Sequence, residues 1–270
     1  MKFAILYSKK DIAGINIADN LKKFFLPHMP LIELSKESIY SENIDEKEEQ
    51  LKNIDFIVFA TRHASKNGKR SLSLHAPGNW RNADFGGIAN KLCSTSALVL
   101  KFLFKKLSEN AKQAGWKHEV TLECTHHGPL IKKPCCFIEV GSNEEGWKDK
   151  EAAEIVAKTI QELQNFEKWK QENKNKKIKI CIAIGGPHYC PNFNKIQLNS
   201  EEYAISHIIP EYQLPINDSM LHEAIEKTQE HTTSVLIDWK GCGNSEARQK
   251  VIDVCKKTGL EVLRTDQIEK

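Results

Sequence analysis

Seven short runs of apolar residues, rich in β-branched side chains, recur along the chain and alternate with stretches of helical periodicity. The runs lie at residues 2–8, 54–61, 119–124, 135–141, 177–186, 234–241 and 260–264. Runs that are apolar almost throughout are typical of strands buried on both faces. Because such strands need helices to cover them and to connect them, the pattern predicts an α/β fold with a mostly parallel sheet.

Five amphipathic segments lie between the apolar runs, at residues 11–25, 94–115, 149–169, 217–232 and 244–259. Asp11 and Asn244 are suitable N-caps, as is Asn217 or Asp218, and Gly115 suits a helix end. No period of 20 to 50 residues repeats along the chain. The lysine-rich break at 170–177 suits a surface linker as well as it suits a domain boundary. We therefore predict one domain spanning residues 1–270.

Composition and charge argue against membrane-spanning, secreted and strongly nucleic-acid-binding classes of protein. The chain has 39 Lys and Arg against 36 Asp and Glu, a net charge of +3 that is too small to indicate a nucleic-acid partner by itself. No stretch approaches the 18 apolar residues that a membrane span needs, and the N-terminal apolar run is too short for a secretory signal. The eight cysteines are dispersed without a CxxC pair. We expect a cytoplasmic monomer with buried, reduced thiols and no structural zinc knuckle.

Histidines follow several of the predicted strands. Residues 61–63 read Thr-Arg-His, residues 125–127 read Thr-His-His, and residues 187–188 read Pro-His. His75 ends a shorter apolar alternation at 71–75. In open α/β sheets, ligands bind where loops converge beyond the carboxyl ends of the strands. The five histidines His63, His75, His126, His127 and His188 are therefore candidates for one site.

Histidine is the most common zinc ligand, and carboxylates complete many hydrolytic sites, so Glu123 joins the candidates. Adjacent side chains of an extended strand point to opposite faces. His126 and His127 can therefore serve one site only if the backbone turns there. Gly128 and Pro129 allow such a turn, but a division into one ligand and one orienting residue is equally consistent with the sequence.

Weaker signals lie near the same strand ends. The segment 62–81 carries basic residues that suit a polyanionic substrate. Two glycines lie at the end of the predicted strand at 177–186, and the residues Asp238, Trp239 and Lys240 lie at the end of the next one. There is no GxGxxG, GxSxG or HExxH motif. The candidate substrate-binding residues are Arg62, Lys66, Arg81, Gly185, Gly186, Asp238 and Lys240. The lysine-rich stretch 167–179 is either a solvated helix end or an RNA contact.

Four motifs together resemble the archaeal and plant type of D-aminoacyl-tRNA deacylase. They are ATRHAS at 60–65, LSLHAPGN at 72–79, ECTHHGPL at 123–130 and AIGGPHY at 183–189. The resemblance runs in order over nearly the whole chain. It implies a three-layer α/β/α fold like that of phosphorylases and peptidyl-tRNA hydrolases. It also implies hydrolysis of the ester joining a D-amino acid, such as D-tyrosine, to the 3′ end of tRNA, with one or two zinc ions as cofactor.

The resemblance places the family's motif histidines on the five candidates. We expect His75, His126 and His188 to hold zinc, with Glu123, His127 and His63 as the catalytic residues. A metal-free mechanism stays open, in which backbone N–H groups near Gly185 and Gly186 stabilise the transition state. Two other classes also stay open. One is a zinc hydrolase of small amides or esters, such as a carboxypeptidase-like enzyme, and the other is a non-catalytic RNA-binding protein.

Overall fold

The computed structural model describes residues 1–268 and contains two principal sheets. The strands in this range are β1 (Phe3–Ser8), β2 (Leu31–Leu34), β3 (Phe56–Arg62), β4 (Ser71–His75), β5 (Gly78–Asn79), β6 (Lys91–Leu92), β7 (Glu119–Leu122), β8 (Cys135–Gly141), β9 (Lys179–Ile184), β10 (Tyr203–Ile209), β11 (Ser234–Ile237) and β12 (Glu261–Arg264).

Helices alternate with the strands along most of the chain. Three of them begin at caps that the sequence indicates: the side chains of Asp11, Asn217 and Asn244 each accept a hydrogen bond from a first-turn N–H. Ser96 caps a fourth helix in the same way. The helices are α1 (Ile12–Leu21), α2 (Ile44–Lys47), α3 (Ala97–Gln113), α4 (Glu144–Trp147), α5 (Lys150–Gln161), α6 (Phe166–Glu172), α7 (Pro191–Asn199), α8 (Asp218–Glu226) and α9 (Ser245–Lys257).

The strands divide between two sheets, whereas the sequence predicted one. The first sheet has the order β2-β1-β3-β8-β4-β7 and the second has the order β10-β9-β11-β12; β5 and β6 form a separate pair. All neighbours in both large sheets are parallel except β4 and β8. The α/β class and the mostly parallel character are therefore confirmed. The antiparallel β4 makes the first sheet mixed. The carboxyl end of β4 therefore does not lie at the same edge of the sheet as the carboxyl end of β8.

All seven predicted strands are present, with ends within a few residues of the apolar runs. The pattern missed β2, β10 and α7, together with the short elements β5, β6, α2 and α4. The segment 149–169 divides into α5 and α6 with a 3₁₀ turn between them. β10 was missed because Ser206 and His207 interrupt its apolar run, although both are buried in the fold. In the described part of the chain, no helix has the length and apolarity that crossing a membrane requires.

The two faces of the first sheet have different surroundings. Phe56, Val58 and Ala60 belong to the large apolar cluster that includes residues of α1, α3 and α5. Ile57 and Phe59 alternate with them and face a smaller cluster formed with residues of β2 and of loops. Since side chains alternate along a strand, the residues that continue this second face beyond Phe59 are Thr61 and His63. The second face therefore changes from apolar to polar along β3.

All eight cysteines are free and buried, as the sequence predicted. Burial raises the pKa of Cys181, Cys242 and Cys255 to about 12, from an ordinary value of 9.0. Between these two values the unfolded chain loses thiol protons that the folded chain keeps. Thiol protonation therefore stabilises the fold fully below pH 9, and this contribution is lost as pH rises towards 12.

We expect the free energy of unfolding to fall between pH 9 and the pH of alkaline denaturation, and urea titrations at half-unit steps would measure it. Each raised thiol adds up to about 1.4 kcal/mol per pH unit to the slope. A matched variant with Cys181, Cys242 and Cys255 all changed to alanine starts less stable but should show a shallower slope. An unchanged slope in that variant would contradict the assignment.

Candidate active site

A buried carboxylate, Glu139, lies at the centre of the polar part of the first sheet. It is in the middle of β8, where it pairs in register with Thr61 of β3 on one side and Ser73 of β4 on the other. Its side chain accepts a hydrogen bond from Thr61 Oγ1 at 2.9 Å and is only 2% exposed. Alternation places Glu139 on the same face as Phe137, two residues earlier. The site is therefore built on a face of the sheet.

Three histidines surround the Glu139 carboxylate. His63 Nδ1 lies 3.3 Å from its Oε2, while His75 Nε2 and His127 Nε2 lie 3.8 and 3.9 Å from its Oε1. His63 follows the end of β3, but His75 ends β4, which runs antiparallel to β8 and brings His75 opposite Phe137. The cluster therefore lies over the middle of β8, and not along a single edge where parallel strands end.

A second buried carboxylate, Glu123, joins the remaining histidines. Glu123 Oε2 lies 2.9 Å from His188 Nε2 and 3.5 Å from His126 Nε2, and its Oε1 lies 3.1 Å from His63 Nδ1. Its side chain is completely buried and forms no wall of the cavity described below. Glu123 thus fixes the positions of three imidazoles from behind. His63, between Glu123 and Glu139, connects the two halves of the cluster.

Three imidazoles lie close together, and each has one ring nitrogen that is not hydrogen-bonded to the main chain. The Nδ1 atoms of His75, His126 and His127 each donate to a main-chain carbonyl, of Ala76, Cys124 and Gly128, at 3.1, 2.8 and 2.6 Å. These hydrogen bonds leave Nε2 as the free atom of each ring. One potential ligand atom from each of the three residues lies within 4.8 Å of those of the other two. Such fixed tautomers are the usual arrangement of metal-binding histidines.

The backbone conformation of His127 explains how adjacent histidines serve one site. His127 has φ of 46°, in the left-handed region, and its ring centroid lies 4.4 Å from that of His126. The turn that the sequence required is therefore present. The sequence predicted a metal set of His75, His126 and His188, whereas the close group that contains His75 and His126 has His127 as its third member. His188 instead lies close to Cys124 with His126, or to Glu123 with His63.

Both buried carboxylates are held as anions. Burial alone would raise the pKa of Glu139, but contacts with the facing histidines, of which His127 contributes most, hold that pKa well below its usual range. Burial likewise opposes ionisation of Glu123, while the charge of His63 and the hydrogen bond from His188 lower its pKa. Two negative charges in a buried cluster would be costly without compensation. The facing imidazoles supply part of this compensating charge, and a bound cation would supply more.

The imidazoles divide into two electrostatic kinds. Burial lowers the pKa of His126 well below its ordinary value and also lowers that of His127, so both rings are neutral near pH 7. Burial would also lower the pKa of His63, but the charges of Glu123 and Glu139 outweigh it and raise that pKa. Neutral rings with a free nitrogen can bind a metal, whereas a ring that keeps its proton can donate it.

A cavity of about 480 Å³ opens onto the cluster. Four of the five histidines reach its wall, and so does Glu139, while His75 and Glu123 lie behind it. The remaining wall combines apolar and polar residues from four segments of the chain, one of which is the end of β3. Its lining residues are Asp11, Glu37, Ser38, Ile39, Tyr40, Thr61, Arg62, His63, Ala64, Phe85, His126, His127, Glu139 and His188.

The three predicted basic contacts have different positions. Arg62 lines the cavity, where its guanidinium pairs with Glu37 at 3.1 Å. Lys66 is exposed on the loop that follows His63. Arg81 is not at the cavity, because its guanidinium donates to the carbonyls of Gln213 and Pro215 at 3.1 and 2.9 Å. Arg62 and Lys66 are therefore available near the site, whereas Arg81 connects two loops.

The structure does not support an oxyanion role for the two predicted glycines. The N–H of Gly185 donates to Ile209 O at 2.8 Å, and that of Gly186 donates to Gly241 O at 3.1 Å. Asp238 is buried and accepts from Asn192 Nδ2 at 3.0 Å and Gly241 N at 3.3 Å. This segment is thus a closed turn, and none of its residues lines the cavity.

Two further predicted contacts lie away from the cluster. Lys240 is exposed beside the turn at Asp238. The lysine-rich stretch 167–179 precedes β9, whereas His188 follows the opposite end of that strand. A strand separates the two, so the lysines belong to the other end of the second sheet.

Glu139 is the functional candidate that the sequence reasoning missed. Its signal was present, since a single carboxylate stands inside the otherwise apolar run CCFIEVG at 135–141. A charged residue within a strand buried on both faces needs a partner. His63, His75 and His127 follow or end other strands, so the partnership is evident only after the strands pair.

A buried cluster of histidines and carboxylates that opens into a cavity suits the active site of a hydrolytic enzyme. Residues 50–263 match a family model described as D-aminoacyl-tRNA deacylase. The chain belongs to the D-aminoacyl-tRNA deacylase family, and it is a hydrolase with the deacylase activity of that family.

Curated relatives and a solved structure agree with this membership. A D-aminoacyl-tRNA deacylase of Thermococcus kodakarensis is 34% identical, with 96% of this chain and 98% of the relative covered. A D-aminoacyl-tRNA deacylase of Methanocaldococcus jannaschii is 33% identical, with 97% and 98% covered. The crystal structure of a conserved protein of unknown function superimposes with a TM-score of 0.86 at 30% identity, covering 99% of this chain and 96% of that chain.

Proposed function

We propose that the cluster is the site where the ester of D-aminoacyl-tRNA is hydrolysed, with zinc held by His75, His126 and His127. The observation that carries the proposal is the set of three free Nε2 atoms, each on a ring whose Nδ1 donates to a main-chain carbonyl. The proposed ligand set contains His127 where the set expected from the sequence has His188. Three histidines with one open position are a common arrangement of catalytic zinc.

The residues present fit a divalent cation in two further respects. His75 Nε2 is buried without a hydrogen-bond partner, which is costly unless something binds it. Glu139 and Glu123 place negative charge beside the free nitrogens. When bound, zinc supplies Lewis-acid chemistry, in which it polarises a carbonyl oxygen and acidifies water.

His63 is the residue best placed to transfer a proton. Its Nδ1 faces Glu123 and Glu139, its Nε2 is buried without a partner, and its ring lines the cavity. The charges of the two carboxylates raise its pKa above the ordinary value of 6.5, which favours the protonated form of His63. It gives this proton from Nε2 to the ribose oxygen as the bond between acyl carbon and oxygen breaks. The proton that the attacking water loses then restores the ring.

The remaining residues position these groups and the substrate. Glu123 and Glu139 act as positioning residues through His63, His126 and His127, and His188 completes the wall beside them. Arg62 and Lys66 suit the phosphates of the acceptor end. The cavity wall accepts the side chain of a D-amino acid and excludes that of the L-form by steric conflict.

We also propose that the chain is one domain with the three-layer arrangement of phosphorylases and peptidyl-tRNA hydrolases. The largest apolar cluster supports this proposal because it contains residues of both sheets, such as Phe56 and Val58 with Ala183 and Ile205.

The substrate and the metal can be tested in one experiment. Release of tyrosine from D-Tyr-tRNA and L-Tyr-tRNA is measured side by side, before and after chelation, with metal content followed by mass spectrometry. We expect hydrolysis of the D-ester alone, lost when zinc is removed and regained when zinc is returned, since metal-assisted hydrolysis needs the Lewis acid.

Two other results would change the assignment. D-selective hydrolysis by a protein verified to be free of metal would make the histidines direct catalysts. Equal hydrolysis of D-tyrosine methyl ester and D-Tyr-tRNA would favour the alternative, a carboxypeptidase-like hydrolase of small substrates, since that class does not recognise the tRNA portion.

A further inference from the structure

Two large aromatic side chains are exposed on the rim of the active-site cavity. Tyr40 is 46% exposed and Phe85 is 64% exposed, yet both line the same cavity as His63 and His127. They belong to different loops, one after β2 and one between β5 and β6. A ligand that covered both rings would remove apolar surface from water, which favours binding at this rim. The two rings are therefore candidates for a ligand contact.

The backbone segments that carry these rings are closely packed, so the positions from which the rings project are fixed. Gly128 N donates to Phe85 O at 2.9 Å. Gly86 has φ of 73°, and a Cβ added there would lie 1.9 Å from Ile39 O, next to Tyr40. A Cβ on Gly128 would likewise lie 2.3 Å from Gly87 N. The two aromatic loops are thus packed, backbone against backbone, on the loop of His127.

A carboxylate strengthens the connection between these loops. Glu42 accepts from Gly87 N through Oε1 and from Leu130 N through Oε2, both at 2.6 Å. Asn79 Nδ2 donates to Gly86 O at 2.8 Å from the other side. The same hydrogen bonds therefore connect the backbone beside Phe85 to the loop of His127.

We infer that Tyr40 and Phe85 form a stacking platform for the terminal nucleobase of the acceptor end, an inference that rests on the proposed function. The ester to be cleaved is carried by the ribose of the terminal nucleotide, so the base lies one sugar away from the reacting carbon. Aromatic side chains beside basic groups are the usual means of binding an unpaired base. Arg62, on the same cavity wall, provides the basic group.

The platform can be tested by equilibrium binding, which needs no turnover. Adenosine 5′-monophosphate and ribose 5-phosphate, which differ only in the base, are titrated calorimetrically into the wild type, Tyr40→Ala and Phe85→Ala. Because stacking of one base contributes substantially to affinity, each alanine variant should bind the nucleotide about tenfold or more weakly. Binding of ribose 5-phosphate should not change. With D-Tyr-tRNA the same variants should raise KM by a similar factor and leave kcat largely unchanged.

Suitable controls separate stacking from a change of fold. Phe25→Ala removes an aromatic ring that is 82% exposed and does not line the cavity, so it should behave as the wild type. Phe85→Tyr should restore binding. Equal loss of binding for both ligands, unchanged nucleotide binding in both alanine variants, or no nucleotide binding by the wild type would overturn the platform. Failure of the proposed function would appear differently, as a wild type that binds the nucleotide but leaves D-Tyr-tRNA intact.

Discussion

Replacing His126 by alanine is expected to lower kcat/KM for D-aminoacyl-tRNA by more than about 100-fold. Loss of a residue that only orients a metal ligand lowers activity by up to about 100-fold, and loss of a ligand itself should lower it further. The substitution removes one of three nitrogens that face the same volume, and His75 and His127 cannot complete the set alone. We also expect bound zinc to fall below one ion per chain. Steady-state kinetics and mass spectrometry of the purified protein would measure both quantities.

The fold should tolerate this change. The His126 side chain is 25% exposed, and its one hydrogen bond to the protein is the contact with Cys124 O. Its removal leaves the buried carboxylate of Glu123 still paired with His63 and His188. Thermal unfolding of the metal-free proteins should therefore be similar. His222→Ala, on the exposed surface of α8, is a matched control that should keep both metal and turnover. If His126→Ala kept its zinc and its turnover, the assignment of the metal site would be wrong.

Replacing Glu139 by glutamine should lower both metal affinity and kcat/KM about 10- to 100-fold, the range typical of residues that orient metal ligands. The amide oxygen can still accept from Thr61, so the strand contact persists. The negative charge beside His63, His75 and His127 is lost. The pKa of His63 should then fall, because Glu139 is one of the two carboxylates that raise it.

The sign of the accompanying pH effect follows from the role of His63. A proton donor is active in its protonated form, so activity is lost as pH rises through its pKa. Lowering that pKa moves the alkaline limb of the kcat/KM profile to lower pH. Asp45→Asn is a matched control, since Asp45 is a buried carboxylate that accepts from Lys132 N and Lys133 N away from the cavity. It should reduce stability without moving the profile.

An alkaline limb that stays in place in Glu139→Gln would exclude His63 as the donor whose pKa Glu139 controls. Normal zinc content in the same variant would further restrict Glu139 to a structural role. The two readouts are independent, because one reports the ionisation of His63 and the other the set of His75, His126 and His127.

The strands and most helices were evident in the sequence because hydrophobic periodicity and helix caps are local properties. The sequence did not predict β10 for the same reason. Its residues Ser206 and His207 are polar, and they are buried through contacts with Thr228 and Thr125 that the local sequence does not show. The candidate histidines were also visible locally, as residues that follow apolar runs. Arg81, Gly185 and Gly186 looked equally suitable, and only their hydrogen bonds to distant carbonyls show that they are occupied elsewhere.

The sequence by itself thus determined the α/β class, the buried reduced thiols and the group of histidines from which the site is drawn. The tertiary structure decided which of them meet. The antiparallel β4 carries His75 over the middle of β8, and the left-handed backbone at His127 brings that ring to the side of His126. Glu139 joins them because its strand lies between β3 and β4. Strand order and direction join residues far apart in the chain, and no local pattern encodes them.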